Sequence, residues 1–267
     1  MPAKVITFHS YKGGTGKSFL SLNTAVYLSN EENKNVILLD FDFRAPTIIH
    51  KFNKKGIRYL NEFLEGRCSL SEAIYDISNE VGLGSNNKFF VAFASPKTRD
   101  MQEMQMKTRQ WQQKALTLIM RGLLEIKQKF DWIIFDSSPG VTYDSLNAMS
   151  SSDAVVLVAT PDNVDVQGTV EMSSDIYPSL IKFGAQPVLV LNKVPWIDRS
   201  TNDLFNTDSI VKIFFEDAGI PVISKCPCYC DTSLLLTKIL VNEDPNHPLI
   251  KNIKEIAKHL ATLDPRE

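Results

Sequence analysis

The stretch His9-Ser10-Tyr11-Lys12-Gly13-Gly14-Thr15-Gly16-Lys17-Ser18-Phe19-Leu20 decides how the rest of the chain is read. A β-type run, Lys4-Val5-Ile6-Thr7-Phe8, leads into it, and a helical run from Ser18 to about Asn30 leads out. Between them, Gly13, Gly14 and Gly16 leave little side chain in the way of a ligand. A strand, a glycine-rich turn and a helix N-terminus together form a phosphate cradle, because backbone N–H groups converge on an anion that the helix dipole also favours. Lys17 is placed to meet β- and γ-phosphates, and the Ser18 hydroxyl to ligate Mg²⁺. The usual spacing G-x-x-x-x-G-K-[ST] would put its first glycine at position 11, where Tyr11 stands instead, and a second lysine, Lys12, opens the loop.

Strand-like and helical runs alternate beyond it. Asn35–Asp40, Lys88–Ala94, Asp131–Phe135, Ala154–Ala159, Pro187–Leu191 and Pro221–Ser224 read as strands. Gly56–Leu64, Ser69–Ile77, Met101–Lys129, Val164–Ile181, Ser209–Ala218 and Asn246–Leu263 read as helices. Short continuous apolar strands alternating with helices predict an α/β fold, a doubly wound, mostly parallel sheet with helices on both faces. Ligands bind such sheets at the carboxyl ends of the strands. The polar motifs fall there: after the first strand, at Asp40, at Asp136 and at Asn192.

Asp40-Phe41-Asp42 ends the second strand, and carboxylates at i and i+2 on an extended segment share a side. Asp131-Trp132-Ile133-Ile134-Phe135-Asp136 runs apolar into one acid, the Walker B pattern of a buried strand that delivers a carboxylate beside Mg²⁺. Magnesium keeps several of its waters, so a single outer-shell carboxylate suffices there. Asn192 follows the next strand, and its amide can both donate to and accept from an adenine edge. A guanine-reading N-K-x-D loop would need an acid at position 195, which is Pro195.

Four motifs stand in this order: Lys12-Gly13-Gly14-Thr15-Gly16-Lys17-Ser18, Asp40-Phe41-Asp42, Asp136-Ser137-Ser138-Pro139-Gly140 and Asn192-Lys193. Together they resemble the deviant Walker A ATPases of the MinD/ParA family over most of the chain. The resemblance implies one P-loop ATPase domain over residues 1–267, with ATP and Mg²⁺ as cofactors. It implies Lys12, Lys17 and Asp42 as catalytic residues, with Lys12 reaching across a dimer to the partner's nucleotide and Asp42 positioning the hydrolytic water. Gly13, Gly14, Thr15, Gly16, Lys17, Ser18 and Phe19 would contact the nucleotide. Asn192, Pro227 and Asp231 would line the adenine pocket, and Ser18, Asp40 and Asp136 would hold the metal, largely through water. Ser137-Ser138-Pro139-Gly140 resembles switch II, where Gly140 could report the γ-phosphate. The implied function is an ATP-gated dimerisation switch with slow, partner-stimulated hydrolysis, used to position cargo or to partition DNA.

Composition bounds the alternatives. With 267 residues, 43% hydrophobic and 22% charged, the chain reads as an ordinary globular protein. A net charge of −2 gives no global pull toward nucleic acid or anionic membrane. No run of eighteen apolar residues and no leader pattern is present, so the expectation is cytoplasmic. Lys97, Arg99, Lys107, Arg109, Lys114, Arg121, Lys127 and Lys129 face only Asp100, Glu103 and Glu125 within Lys97–Lys129. That segment reads as a patch for non-specific DNA or an acidic activator, or as a solvated helix face. Cys226-Pro227-Cys228-Tyr229-Cys230 reads as an iron–sulfur or metal site, or as small residues packing around the base; C-x-C-x-C is not the usual zinc or cluster spacing. The C-terminal helix sets Leu249, Ile253, Ile256 and Leu260 against Lys251, Lys254 and Lys258. It reads as a membrane-touching helix or, lacking Phe and Trp, as one packed on the sheet. A phosphotransferase is a further alternative, since bacterial tyrosine kinases share this P-loop, but no tyrosine-rich tail is present.

Overall fold

A computed structural model describes residues 3–31, 33–52, 54–84, 87–182, 184–198, 203–204, 207–229, 231–232 and 238–264. The apolar runs form an eight-stranded sheet: β1 Lys4–His9, β2 Asn35–Phe41, β3 Ile74–Asp76, β4 Lys88–Ala92, β5 Trp132–Ser137, β6 Ala154–Ala159, β7 Gln186–Val194 and β10 Val222–Pro227. Trp196–Asp198 (β8) and Asp203–Leu204 (β9) make a separate antiparallel pair. The order in the large sheet is β10-β7-β6-β1-β5-β2-β4-β3, and every pairing is parallel except β3 with β4. From β1 the chain winds one way to β2 and β4, and from β5 it crosses back to β6, β7 and β10. The crevice of such a sheet opens at the carboxyl ends of its central strands.

The strands are apolar on both faces because both faces are covered. Alternation sends Ile6, Phe8, Leu38, Ile134 and Val156 to one side, against α1 (Lys17–Glu31) and the last helix, Ile250–Thr262. Val5, Ile37, Leu39, Ile133 and Phe135 go to the other, against α3 (Leu60–Leu64) and Arg109–Ile126. Val155, Leu157, Leu189 and Leu191 pack beneath Asn163–Lys182.

Four helix expectations are corrected. Gly56–Leu64 is helical only over α3; Gly56 itself adopts φ +66°. Ser69–Ile77 is a single 3₁₀ turn, Ser71–Ala73, followed by the edge strand β3, whose register Ile74↔Ala92 lets β4 complete its ladder. Met101–Lys129 is two helices, α4 (Thr98–Gln105) and α5 (Arg109–Ile126); Thr108 breaks them because its hydroxyl accepts from Trp111 N at 3.3 Å and caps α5. Asn246–Leu263 becomes helical only at Ile250, after Pro248 and the turn that His247 N closes on Asp244 O at 2.9 Å. Three further helices carry no clear sequence signal: α2 (Ile48–Phe52), α6 (Tyr143–Ser150) and α9 (Leu240–Glu243). The helix over Val164–Ile181 stands as α7 (Asn163–Lys182), the one over Ser209–Ala218 begins as α8 (Asp208–Lys212), and Ile250–Thr262 is α10.

Ile253, Ile256, Ala257 and Leu260 are buried, so the apolar stripe of α10 is spent on the core next to α1. No described helix is long and apolar enough to cross a membrane.

Candidate nucleotide-binding site

β1 is buried to its end at His9, and α1 begins at Lys17. The loop between them turns at Gly14 and Gly16, with φ of +81° and +94°, values that an L side chain resists. Gly16 has a second reason to lack a Cβ: one built there would run into the Asn192 amide nitrogen. That nitrogen donates to Thr15 O at 2.7 Å, and Lys193 Nζ donates to Gly14 O at 2.7 Å. Both donors come from the end of β7, where Lys193 itself takes a left-handed φ of +57°. Such backbone strain in a non-glycine residue persists only where its surroundings enforce it.

The three central strands deliver the charged groups. Register aligns Phe8 with Asp136 and Asp136 with Asp40, so the two acids end neighbouring strands in one row. Lys17 Nζ reaches Asp136 Oδ1 at 2.8 Å, with side chains only 6% and 0% exposed. Burial pushes the Asp40 carboxyl well above the usual range, and the neighbouring Asp136 and Asp42 charges push it further. His9 binds Ser137 through Nδ1 at 2.9 Å. Burial, with the Lys17 charge nearby, lowers its pKa to about 3 and keeps the ring neutral. Asp42 lies one residue beyond β2 and starts a turn. Its Oδ1 accepts from Ala45 N at 3.1 Å, Arg44 N at 3.3 Å and Ser138 Oγ at 3.2 Å. Asp42 N also donates to Asp40 Oδ1 at 3.3 Å, so the two acids stay close, and the turn ties Asp42 to Ser138.

Asp40 Oδ2 and Asp136 Oδ2 are buried with no hydrogen-bond partner among the described residues. Two orphaned carboxylate oxygens near the Ser18 hydroxyl make a hard-oxygen donor set, which fits Mg²⁺. Ser18, Phe19, Asp42, Thr47 and Pro139 join the loop glycines around a cavity of about 200 Å³. A larger one, about 650 Å³, lies beside Lys12, Gly13 and Gly14, with Thr160, Asp162, Lys193, Pro195 and Cys228 as its far wall.

Thus Gly13, Gly14, Thr15, Gly16, Lys17, Ser18, Asp40, Asp42 and Asp136 come together. Lys12 points away from this centre and forms an ion pair with Asp162, which also caps α7 by accepting from Asp165 N at 3.0 Å. The Lys12 ammonium and the Thr160 hydroxyl lower the Asp162 pKa to about 2. Asn192 lies beneath the loop. Pro227 ends β10, and Asp231 lies 3.2 Å from His247 Nε2. Lys193 belongs to the Asn192-Lys193 motif, though its role of bracing the loop is not legible in sequence, and Asp162 belongs to no motif that sequence alone marks as functional. Thr160-Pro161-Asp162 ahead of an apolar run does carry a helix-start signature.

Cys226 is fully buried against the α10 side of the core, and burial pushes its thiol up to about 12. Cys228 instead lines the larger cavity. Cys230 lies outside the described residues. Among those described, no group of three His, Cys, Asp or Glu side chains could hold a metal. In the basic segment, Arg99 pairs with Glu103 at 2.8 Å, Lys107 with Glu65 at 2.8 Å, and Lys97 lies 5.7 Å over the Tyr59 ring. Arg109, Lys114 and Arg121 are exposed along α5.

A family model for the AAA domain, AAA_31, matches residues 3–180. The MinD septum site-determining protein of Bacillus subtilis is 26% identical over 78% of this chain and 72% of its own length. The virulence plasmid ParA family protein of Chlamydia psittaci is 23% identical over 96% of this chain and 94% of its own. The chain belongs to the MinD/ParA family of P-loop ATPases. A third relative, an iron–sulfur cluster carrier protein of Rickettsia typhi, is 26% identical over 89% of this chain and 67% of its own length. Among solved structures, the ATP complex of a Cyanothece McdA variant superposes with a TM-score of 0.77 at 16% identity, covering 99% of this chain and 98% of that one. MinD of Pyrococcus horikoshii with Mg-ADP gives 0.72 at 19% identity, covering 98% and 97%. These likenesses fix the MinD/ParA fold. In this chain the loop is held by Asn192 and Lys193 beneath and by Asp162 in front.

Proposed function

We propose that this protein is a MinD/ParA-type ATPase whose ATP-bound form is a face-to-face homodimer and whose slow hydrolysis, stimulated by a partner protein, resets it. The observation that carries this reading is the Lys17–Asp136 pair. A buried ammonium is held at the end of the phosphate loop, beside two carboxylate oxygens that lack partners among the described residues.

Backbone N–H groups of residues 13–18 would take the phosphates. Lys17 would leave Asp136 for the β- and γ-phosphates, an exchange of one anion for another that keeps its charge paired. Ser18, with Asp40 and Asp136 through water, would hold Mg²⁺, which when bound would neutralise the charge that develops on the transferring group. Asp42, held by Ala45 N and Ser138, would orient the attacking water, and its link to Ser138 ties that water to Gly140 in switch II. The adenine would extend toward Asn192, Pro227 and Asp231. Lys12, exposed on the rim and bound to a half-exposed aspartate, would be free to exchange Asp162 for the partner's nucleotide at little cost. The exposed Arg109, Lys114 and Arg121 on α5 support a salt-sensitive surface for DNA or an acidic partner.

The test is molecular mass by light scattering, with and without Mg²⁺-ATP, on the Asp42→Ala protein. Dimer formation that needs ATP and that Lys12→Ala abolishes is the expected result. A mass indifferent to ATP, or a dimer indifferent to Lys12, would overturn the switch.

A further inference from the structure

Tyr11 stands where the usual loop spacing has glycine, and its ring has a place built for it. Gly168 lies within α7, and the Tyr11 ring rests on it. A Cβ added at Gly168 would penetrate the ring, with Cδ1 only 2.6 Å away. Glycine inside a helix costs roughly 1 kcal/mol relative to alanine. Here the missing methyl is what admits the ring. At the start of the same helix, Asp162 holds the ammonium of the next loop residue, Lys12. Behind the ring, Gly140 N donates to Ser10 O at 2.8 Å, and a Cβ on Gly140 would lie 3.4 Å from Tyr11 O. The front of the loop is thus seated between switch II and α7. Adjacent loop residues grip the helix in two chemically distinct ways, an aromatic ring on a glycine and an ammonium on a carboxylate.

We infer that Gly168 is the socket for Tyr11, and that this pair positions Lys12 by fixing the front of the phosphate loop against α7. Both are positioning residues: neither is placed to touch a phosphate, and they act through the direction in which Lys12 leaves the backbone. A ring expelled from the socket must swing outward, and the backbone at position 11 then loses the contact that held it to α7. Because Lys12 is joined to that backbone, its reach to Asp162 in the free protein changes, and so does its reach to a phosphate. The second consequence rests on the ATPase reading above; the first does not.

The experiment compares wild type, Gly168→Ala, Tyr11→Gly, Tyr11→Phe and the double variant Tyr11→Gly/Gly168→Ala. The first measurement is acetylation of the Lys12 amine by an N-hydroxysuccinimide ester without nucleotide, followed by peptide mass spectrometry. Gly168→Ala is expected to raise Lys12 labelling several-fold, Tyr11→Phe to leave it at the wild-type rate, and the double variant to match Tyr11→Gly, since without a ring the added methyl meets nothing. The second is steady-state ATP hydrolysis. Gly168→Ala should lower kcat by about tenfold, the scale of a small misplacement of a charged group, with KM little changed. Unchanged Lys12 labelling in folded Gly168→Ala, or a double variant further from wild type than Tyr11→Gly, overturns the socket. Should Gly168→Ala not fold, equal labelling of Tyr11→Gly and Tyr11→Phe overturns it in the same way. Labelling as expected in a protein that turns over no ATP upholds the socket and overturns the ATPase reading instead.

Discussion

The two halves of the strand-end crevice are built differently. The phosphate half stands on β1, β5 and β2 and is buried: Lys17, Asp40, Asp42 and Asp136 are each under 9% exposed. The half toward which the base would extend stands on β7 and β10 and is open: Asp231 is half exposed, and Cys228 lines a cavity that reaches solvent. In the buried half a charge without a counter-charge is costly, so the groups there depend on one another. In the open half water substitutes for any missing partner. On the function proposed above, the chemistry would be concentrated where the structure can least tolerate a change, and base selectivity would sit where it tolerates change best.

The largest expected effect tests that contrast directly. Lys17→Met strips the Asp136 carboxylate of its ion-pair partner in a fully buried position beside Asp40. Breaking a buried pair from one side costs about 3–5 kcal/mol, read as a shift in the urea midpoint of the nucleotide-free protein. Asp231→Ala breaks a half-exposed contact with His247 and should cost less than about 1 kcal/mol. Equal losses from the two substitutions would remove the distinction between the halves.

Much of the buried half was legible in the sequence, and for a physical reason. A parallel strand covered on both faces is a continuous apolar run, and its end is where the next polar residue stands. Gly16-Lys17-Ser18, Asp40 and Asp136 each follow such a run closely. What held them was not legible. Asn192 to Thr15 and Lys12 to Asp162 join residues 177 and 150 positions apart, and no local pattern encodes such a meeting. Gly168 reads as a weak point in a helix until the ring of Tyr11 is seen resting on it. Helix ends failed where a single hydroxyl decided them: Thr108 divides a run from Met101 to Lys129 that periodicity alone would continue. The edge strand Ile74–Asp76 reads as helix because it is three residues long and gains its pairing only from β4.

The boundary between the halves is Asn192, which stands at the end of β7 with its amide nitrogen under the loop. Asn192→Ala removes the donor to Thr15 O and the block that faces Gly16. Loss of a buried hydrogen bond costs about 1–3 kcal/mol. Most of that should appear in the nucleotide-free protein, since the bond exists there. Fluorescent ADP analogues should then bind more weakly by a factor that guanine and adenine analogues share. A loss confined to adenine would move Asn192 wholly into the open half, as a reader of the base and not a support of the loop.

A smaller effect within the buried half lies at its outer margin, where Asp144 stands in the first turn of α6. Its carboxyl is raised to about 6, by burial first and by Asp42 in addition, while the Gln112 side chain and Arg44 oppose the rise. The native state therefore keeps a proton that the unfolded chain releases near pH 4. Between about pH 4 and 6 unfolding releases that proton, so stability falls as pH rises through this window and levels off above it. Asp144→Asn has no proton to release and should lack this slope. At pH 7 the variant should be more stable by about 1 kcal/mol, less than the full shift implies, because an acid in the first turn of a helix is also favoured by the helix dipole. At about pH 4 the two proteins should coincide. Thermal melts of both across that range read the difference. A wild-type stability that rose between about pH 4 and 6 in step with the variant would show that water reaches Asp144, and would move the edge of the buried half inward to Asp42.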